Sequence, residues 1–345
     1  MIYSASYYSA KIYYNDSFFF LKKQAISLLS AIICFFISKN IQLEFWRKNA
    51  IVLYVISIIL LVMVFIPKIG VENYGARRWI NLFGISFQPS ELAKYALVLM
   101  ISALIHKIDN PGKRFVLIAL VSLIVVVLIL LEPNMSIAIT ISFVVLIMII
   151  FGGLKLKYLL LLLIPVIAFG VVLVLMEPYR LARLSAFIDP WKSPQNEGYQ
   201  LIQSFYALAG GGLFGVGLFN SRQKYLFLPF AESDFIFSII CEEFGFVGGL
   251  IIIALFIAVF IEGLLIAKQA STKFEAFLSI GIISIIIVQA MLNVAVVTGS
   301  IPPTGLPLPF VSYGGTSICV IYFFIGMLDV IKKNSLQNKC LNKIY

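Results

Sequence analysis

Four carboxylates fall in one stretch, LPFAESDFIFSIICEEFGFVGG: Glu232 and Asp234 at the mouth of an apolar run, Glu242 and Glu243 about two turns inside it. An ionised carboxylate at mid-bilayer is unfavourable by about 2.5–3.5 kcal/mol even on the lenient insertion scale, so such groups mark functional sites by default. Asp234 has the best position for proton transfer: it lies near water, beside a long polar segment, where it can accept a proton from a substrate hydroxyl. The plainer role is to cap its helix, and residue type leaves both roles open. Glu242 and Glu243 also fit a structural pair facing a bundle interior.

A second block, YGARRWINLFGISFQPSELAKYALVLM, opens a helix at Pro89 and Ser90 and places Glu91 and Lys94 three residues apart on one face. An internal ion pair lowers the cost of burying both charges, and it is compatible with a role in holding a catalytic carboxylate. Cations cluster in the segments outside the apolar runs: Arg77 and Arg78 in one, Arg180, Arg183, Arg222 and Lys224 in another. Guanidinium groups match phosphate geometry, which makes a lipid pyrophosphate at the outer surface a natural ligand. Solvated loop charge or headgroup contact is the plain alternative for any one of them. In a third block, NVAVVTGSIPPTGLPLPFVSYGGTS, Pro302, Pro303, Pro307 and Pro309 forbid a helix amid apolar surroundings. Irregular backbone at membrane depth must be buried in protein or line a cavity, so a re-entrant or capping loop is expected, against the simpler tight external turn.

Other chemistries are excluded or weak. Gly210 to Gly217 contains a formal GxGxxG, but no buried strand precedes it, no acidic partner follows at the dinucleotide-binding spacing and no GK[ST] is present. Close backbone packing explains these glycines better. His106, the single histidine, stands beside Lys107 at a helix end. Cys34, Cys241 and Cys319 sit inside apolar runs and Cys340 in the tail, with neither a disulfide framework nor metal spacing. The net charge of +10 is spread over short loops without an aromatic-laced basic stripe, so nucleic acid is not an expected partner.

The elements that must position these residues are membrane helices. Of 345 residues, 61% are apolar or aromatic and 12% charged, against roughly 25% charged in a soluble domain. Apolar runs predict helices near 24–38, 50–66, 89–106, 115–131, 135–151, 158–176, 235–267, 276–298 and 317–331, with residues 1–10 as the stump of another. The basic loops at 39–48, 107–114, 155–157 and 268–273 and the tail 332–345 are cytoplasmic by the positive-inside rule. The segments 11–23, 67–88, 132–134, 177–234 and 299–316 then face outward. The segment 177–234 reads as a long loop without helical period, and loops of that length are usually functional. The whole chain reads as one all-α, polytopic membrane domain.

Together the blocks resemble the SEDS family of cell-division and shape proteins, the group of FtsW, RodA and SpoVE. The resemblance rests on YSAS, GARRWI with FQPSELAK, RLSAFIDPW with GYQ, SRQKYLFLP, DFIF with EEFGF, and PLPFVSYGGTS, in family order over nearly the whole chain. It implies a bundle of about nine to ten transmembrane helices in the bacterial cytoplasmic membrane. It also implies a glycosyltransferase that polymerises lipid II, a class B penicillin-binding protein as transpeptidase partner, and contacts with other division or elongation proteins. The family's essential aspartate falls on Asp234, and its conserved acidic and basic pair on Glu91 and Lys94. Arg77, Arg183, Arg222 and Lys224 are the expected cations of the substrate cavity, with Mg²⁺ or Mn²⁺ as the alternative charge for the leaving pyrophosphate. The YSAS and VAVVTG segments favour the FtsW and SpoVE branch. Pro133-Asn134-Met135-Ser136 departs from the family's P-D-L-G-T, and Phe230, Glu232 and Ser233 depart from the usual neighbours of the aspartate. The family's first helix precedes YSAS, so this chain is expected to start within or after it. A lipid II flippase and a division scaffold are the competing functions, and the plain cytoplasmic loops favour catalysis over transport.

Overall fold

A computed structural model describes residues 1–67, 69–73, 76–82, 85–153 and 178–341. The helix expected over 158–176 and the cytoplasmic loop at 155–157 lie outside these residues, as does the side chain of Arg180. The described chain runs α1 (Ile2–Tyr14), α2 (Phe19–Lys39), α3 (Leu43–Lys48), α4 (Ala50–Met63), β1 (Gly70–Asn73), β2 (Ala76–Leu82), β3 (Ile85–Phe87), α5 (Pro89–Lys107), α6 (Pro111–Leu131) and α7 (Met135–Phe151). It continues with α8 (Pro178–Ile188), α9 (Tyr199–Gly211), α10 (Ile236–Gln269), α11 (Lys273–Val297) and α12 (Gly315–Leu341). Among the described residues α2, α6, α10, α11 and α12 are long and apolar enough to cross a membrane, and α4 and α7 are shorter apolar helices. On α2, Ile26, Leu29, Ile33 and Ile37 are all more than half exposed, the side expected to meet lipid.

Local chemistry sets the helix starts. Proline occupies the first position of α5 and α6, where its missing N–H is no loss. Asn110 caps α6 by accepting from Lys113 N at 3.1 Å, and Asn134 caps α7 by accepting from Ile137 N at 3.4 Å. Asparagine caps about as well as aspartate, so the Asn134 departure keeps this function.

The chain forms two compact units. One comprises Ser27–Leu162, Val259–Val288 and Thr316–Tyr345. In it α5 packs against α4, α6 and α7, and α11 approaches so closely at Gly281 that a Cβ there would stand 2.3 Å from Val98 Cγ1. The outward segment 67–88, read as loop, folds as an antiparallel meander β1-β2-β3 with Gly70 opposite Ile80 and Ile80 opposite Phe87. Ile80 is fully buried and fastens the sheet to its unit. The tail expected from 332 continues α12 to Leu341.

The other unit comprises Met1–Ile26, Leu163–Ala258 and Gln289–Gly315. Its core joins Ala5 of α1 to Phe235, Ile236, Ile239 and Cys241 of the α10 region, Val296 and Val297 of α11, and Leu308. The segment read as an irregular loop over 177–234 contains α8, a 3₁₀ turn at Pro190–Lys192, and α9. The expected close packing of the glycines is present. A Cβ on Gly211 would stand 1.9 Å from the Cys241 carbonyl oxygen, and one on Gly215 would stand 2.2 Å from that of Glu243.

Candidate active site

Asp234 lies two residues ahead of the first helical residue of α10, in the turn region that leads into the helix. Three consecutive carbonyls hold this turn. Glu232 O accepts from Tyr313 N at 2.9 Å, Ser233 O from Ser312 Oγ at 2.6 Å, and Asp234 O from Asn293 Nδ2 at 2.7 Å. Ser312 and Tyr313 end the proline-rich segment, and Asn293 lies on α11, so the 299–316 segment packs against the Asp234 turn as a partly exposed loop. Gly305, at φ +72°, brings its backbone to the carboxylate, and a Cβ on it would stand 3.4 Å from Asp234 Oδ2. Two side chains and one backbone amide satisfy the three carbonyls of this irregular turn.

Arg183 of α8 reaches the same loop, donating from Nη1 to Pro303 O at 3.2 Å. The structure therefore brings Arg183 and Asp234 onto one short stretch, residues 303–305. Arg222 is exposed and its backbone N–H donates to Glu242 Oε1 at 2.9 Å. Lys224 differs from the expected surface cation. Its side chain is buried and its Nζ meets Glu243 Oε1 at 2.9 Å, with both side chains at 0% exposure. Ser4 Oγ of α1 donates to the same carboxylate at 2.6 Å, and the ammonium lies over the rings of Tyr7, Phe219 and Tyr225. Glu242 accepts from Ser221 Oγ and from the N–H groups of Arg222 and Gln223. Both glutamates thus tie α10 to the 221–224 turn.

In the other unit, Glu91 and Lys94 form the expected ion pair, 2.9 Å apart with side chains 4% and 1% exposed. Arg77 is exposed on β2 and pairs with Glu72 at 3.2 Å. Arg78 donates from Nη2 to Pro133 O at 2.6 Å and from Nε to Glu132 O at 3.4 Å.

Burial sets the electrostatics of the outward segments. Removal from water raises the Glu232 carboxyl above its ordinary range and, in the same way, the Tyr313 phenol, whose ionisation Tyr14 and Glu232 also oppose. Glu132, just beyond α6, is driven by burial to about 8, with Arg78 acting weakly in the opposite direction.

The family model for cell cycle proteins of the FtsW, RodA and SpoVE type matches residues 1–337. The chain belongs to that family. Among the family's curated members, stage V sporulation protein E of Bacillus subtilis is 37% identical over 97% of this chain and 93% of its own length. A probable peptidoglycan glycosyltransferase FtsW of Geobacter sp. is 38% identical over 95% and 90%. A chain of a peptidoglycan synthase complex that coordinates polymerization and crosslinking superposes with a TM-score of 0.80 at 27% identity, covering 97% of this chain and 96% of that one. Thermus thermophilus RodA superposes at 0.70 with 25% identity, covering 96% and 93%. Like other members of the FtsW/RodA/SpoVE family, this is a multi-pass protein of the cytoplasmic membrane.

Gln289, Asn293 and Ser312, which hold the turn and loop around Asp234, and Glu132 in the other unit were not singled out from the sequence. Gln289 and Asn293 are amides four residues apart in an apolar run, a spacing that puts both on one helix face, and this was the available signal. Ser312 carries no signal of its own. Glu132, a carboxylate ending a long apolar run, was legible by the rule that marked Asp234.

Proposed function

We propose that the protein is a peptidoglycan glycosyltransferase that polymerises lipid II into β-1,4-linked glycan strands at the outer face of the membrane. The observation that carries this reading is the carboxylate of Asp234, at the mouth of a membrane helix, beside a proline-rich loop that an arginine also holds. The names of the family's curated members support it.

An α-linked sugar pyrophosphate converts to a β-linkage by one displacement with inversion, so a single base suffices. Asp234 takes the proton of the acceptor 4-hydroxyl as that oxygen bonds to the donor anomeric carbon, and the bond to the pyrophosphate breaks. Undecaprenyl pyrophosphate leaves with the electron pair, its charge met by Arg183 and the exposed Arg222. Lys224, neutralised by Glu243, instead shapes the turn that presents Arg222. No three carboxylate, histidine or cysteine groups converge among the described residues. A Mg²⁺ or Mn²⁺ ion held by one carboxylate and substrate phosphates is the form that fits, and when bound it would neutralise the leaving group. A class B penicillin-binding protein is the proposed crosslinking partner, supported by the likeness to the synthase-complex chain.

General-base assistance is worth about 10²–10⁴-fold, so Asp234→Asn should nearly abolish polymerisation of labelled lipid II by folded protein supplied with its partner. Strand synthesis near the wild-type rate by that variant overturns the assignment.

A further inference from the structure

Resting on Asp234 as the base, we propose that Asn293 is a positioning residue whose side-chain amide sets the place of the Asp234 carboxylate. Asn293 is 1% exposed, and its Nδ2 donates to two carbonyls from different segments, Asp234 O at 2.7 Å and Leu306 O at 2.7 Å. A primary amide nitrogen carries two hydrogens, so both are committed.

Each of these carbonyls lies where regular structure supplies no donor. Ser238 N, the amide that would reach Asp234 O in a continuing helix, pairs with Phe235 O at 3.0 Å instead. Leu306 stands between Pro303 and Pro307 in irregular backbone. Asn293 therefore joins the turn bearing the carboxylate to the loop whose Gly305 faces it, and it does so from the regular part of α11, a rigid base for a functional group.

Supporting contacts repeat the arrangement. Gln289, one turn earlier on α11, donates to Pro307 O at 2.9 Å. Ser312 Oγ accepts from Leu308 N at 2.8 Å while donating to Ser233 O. Phe230 and Phe310, one in each pinned segment, have φ of 57° and 64°. Bulky residues rarely adopt this conformation, and it persists only where the surroundings over-determine the backbone. The amide and hydroxyl pins supply that constraint.

The test is steady-state polymerisation of lipid II by the purified full chain with its partner. A displacement of about 1 Å in a reacting group costs about 10²-fold, so Asn293→Ala should lower kcat by about that factor and leave the KM for lipid II within about threefold. Ser312→Ala, which removes one pin of several, should lower kcat by about tenfold with the same constancy of KM, and it decides the matter if Asn293→Ala fails to fold. Wild-type kcat in the folded Asn293→Ala protein, or a rise in KM matching the fall in kcat, overturns the inference. Inactivity of Asp234→Asn beside a fully active Asn293→Ala defeats the positioning role alone, whereas activity of Asp234→Asn removes the base on which it rests.

Discussion

Glu132 is a buried carboxyl: among the described residues neither Oε1 nor Oε2 has a hydrogen-bond partner, and the residue is 0% exposed. Arg78 donates to the backbone carbonyls of Glu132 and Pro133, and its charge only partly offsets the burial of the carboxyl. Burial lifts its pKa from 4.5 to about 8, so the folded protein binds this proton more tightly than the unfolded chain does. The associated stability is complete below the unfolded value of about 4.5 and is lost as pH rises through about 8. Glu132→Gln should therefore leave the thermal midpoint in detergent nearly unchanged near pH 5 and raise it near pH 8.5, where the linked stability gain is of order a few kcal/mol. Equal midpoints at both pH values would show the carboxyl to be solvated. Lys224 presents the opposite case, a buried cation fully met by Glu243. Lys224→Met leaves that carboxylate uncompensated and should destabilise by about 3–5 kcal/mol, while Lys224→Met with Glu243→Leu should recover most of the loss. A double variant no more stable than the single one would refute the pairing as the source of the effect.

At the scale of the element, the most informative feature is the break in α10 at Gly245, where φ 70° and ψ −167° leave the helical region. Its neighbours lose their usual partners and find new ones in the glycine-rich turn after α9. Glu242 O and Glu243 O accept from the N–H groups of Val216 and Gly217, each at 3.0 Å. Phe246 N and Val247 N donate to Gly212 O and Leu213 O at 2.9 and 3.1 Å. Four backbone groups freed inside a membrane helix are thereby satisfied, as lipid requires. A Cβ at Gly245 would stand 2.4 Å from Gly215 N, so Gly245→Ala combines a disfavoured backbone with a collision. It should destabilise by more than the ~1 kcal/mol of the conformational effect alone and expose residues 212–217 to protease; unchanged melting and digestion would show the break to be dispensable. The glycine spacing was readable as close packing, but the exchange of hydrogen bonds was not. Helices α8 and α9 were hidden for a related reason: short amphipathic segments between prolines and glycines carry less signal than a long apolar run. Yet α9 buries Leu201, Ile202, Ser204 and Ala207, a helical face once its ends are known. The β1-β2-β3 meander was missed because its strands are short, with β3 only Ile85–Phe87.

For the whole molecule, the bilayer as solvent made most of the architecture legible, since each span must be apolar and about 20 residues long. The position of Asp234 at a span's mouth was legible for the same reason. Its clamps were not, because Asn293 reaches Asp234 across 59 residues of chain and Ser312 reaches Ser233 across 79, and apolar patterning carries no information about such pairs. Orientation rests on charge alone: Lys and Arg in short loops stay on the cytoplasmic side, which puts the 177–234 segment and Asp234 outside. This has a direct chemical consequence, because a base on the cytoplasmic side would meet lipid-linked sugars before they cross the membrane, which suits a transporter better than a polymerase. Lys192 and Lys48 report the two faces, with side chains 82% and 72% exposed. In a background without the native cysteines, a cysteine replacing Lys192 should react with a membrane-impermeant maleimide in intact spheroplasts. One replacing Lys48 should react only after permeabilisation. The reverse pattern would invert the chain in the membrane and move Asp234 to the cytoplasmic face, and the polymerase reading would give way to transport.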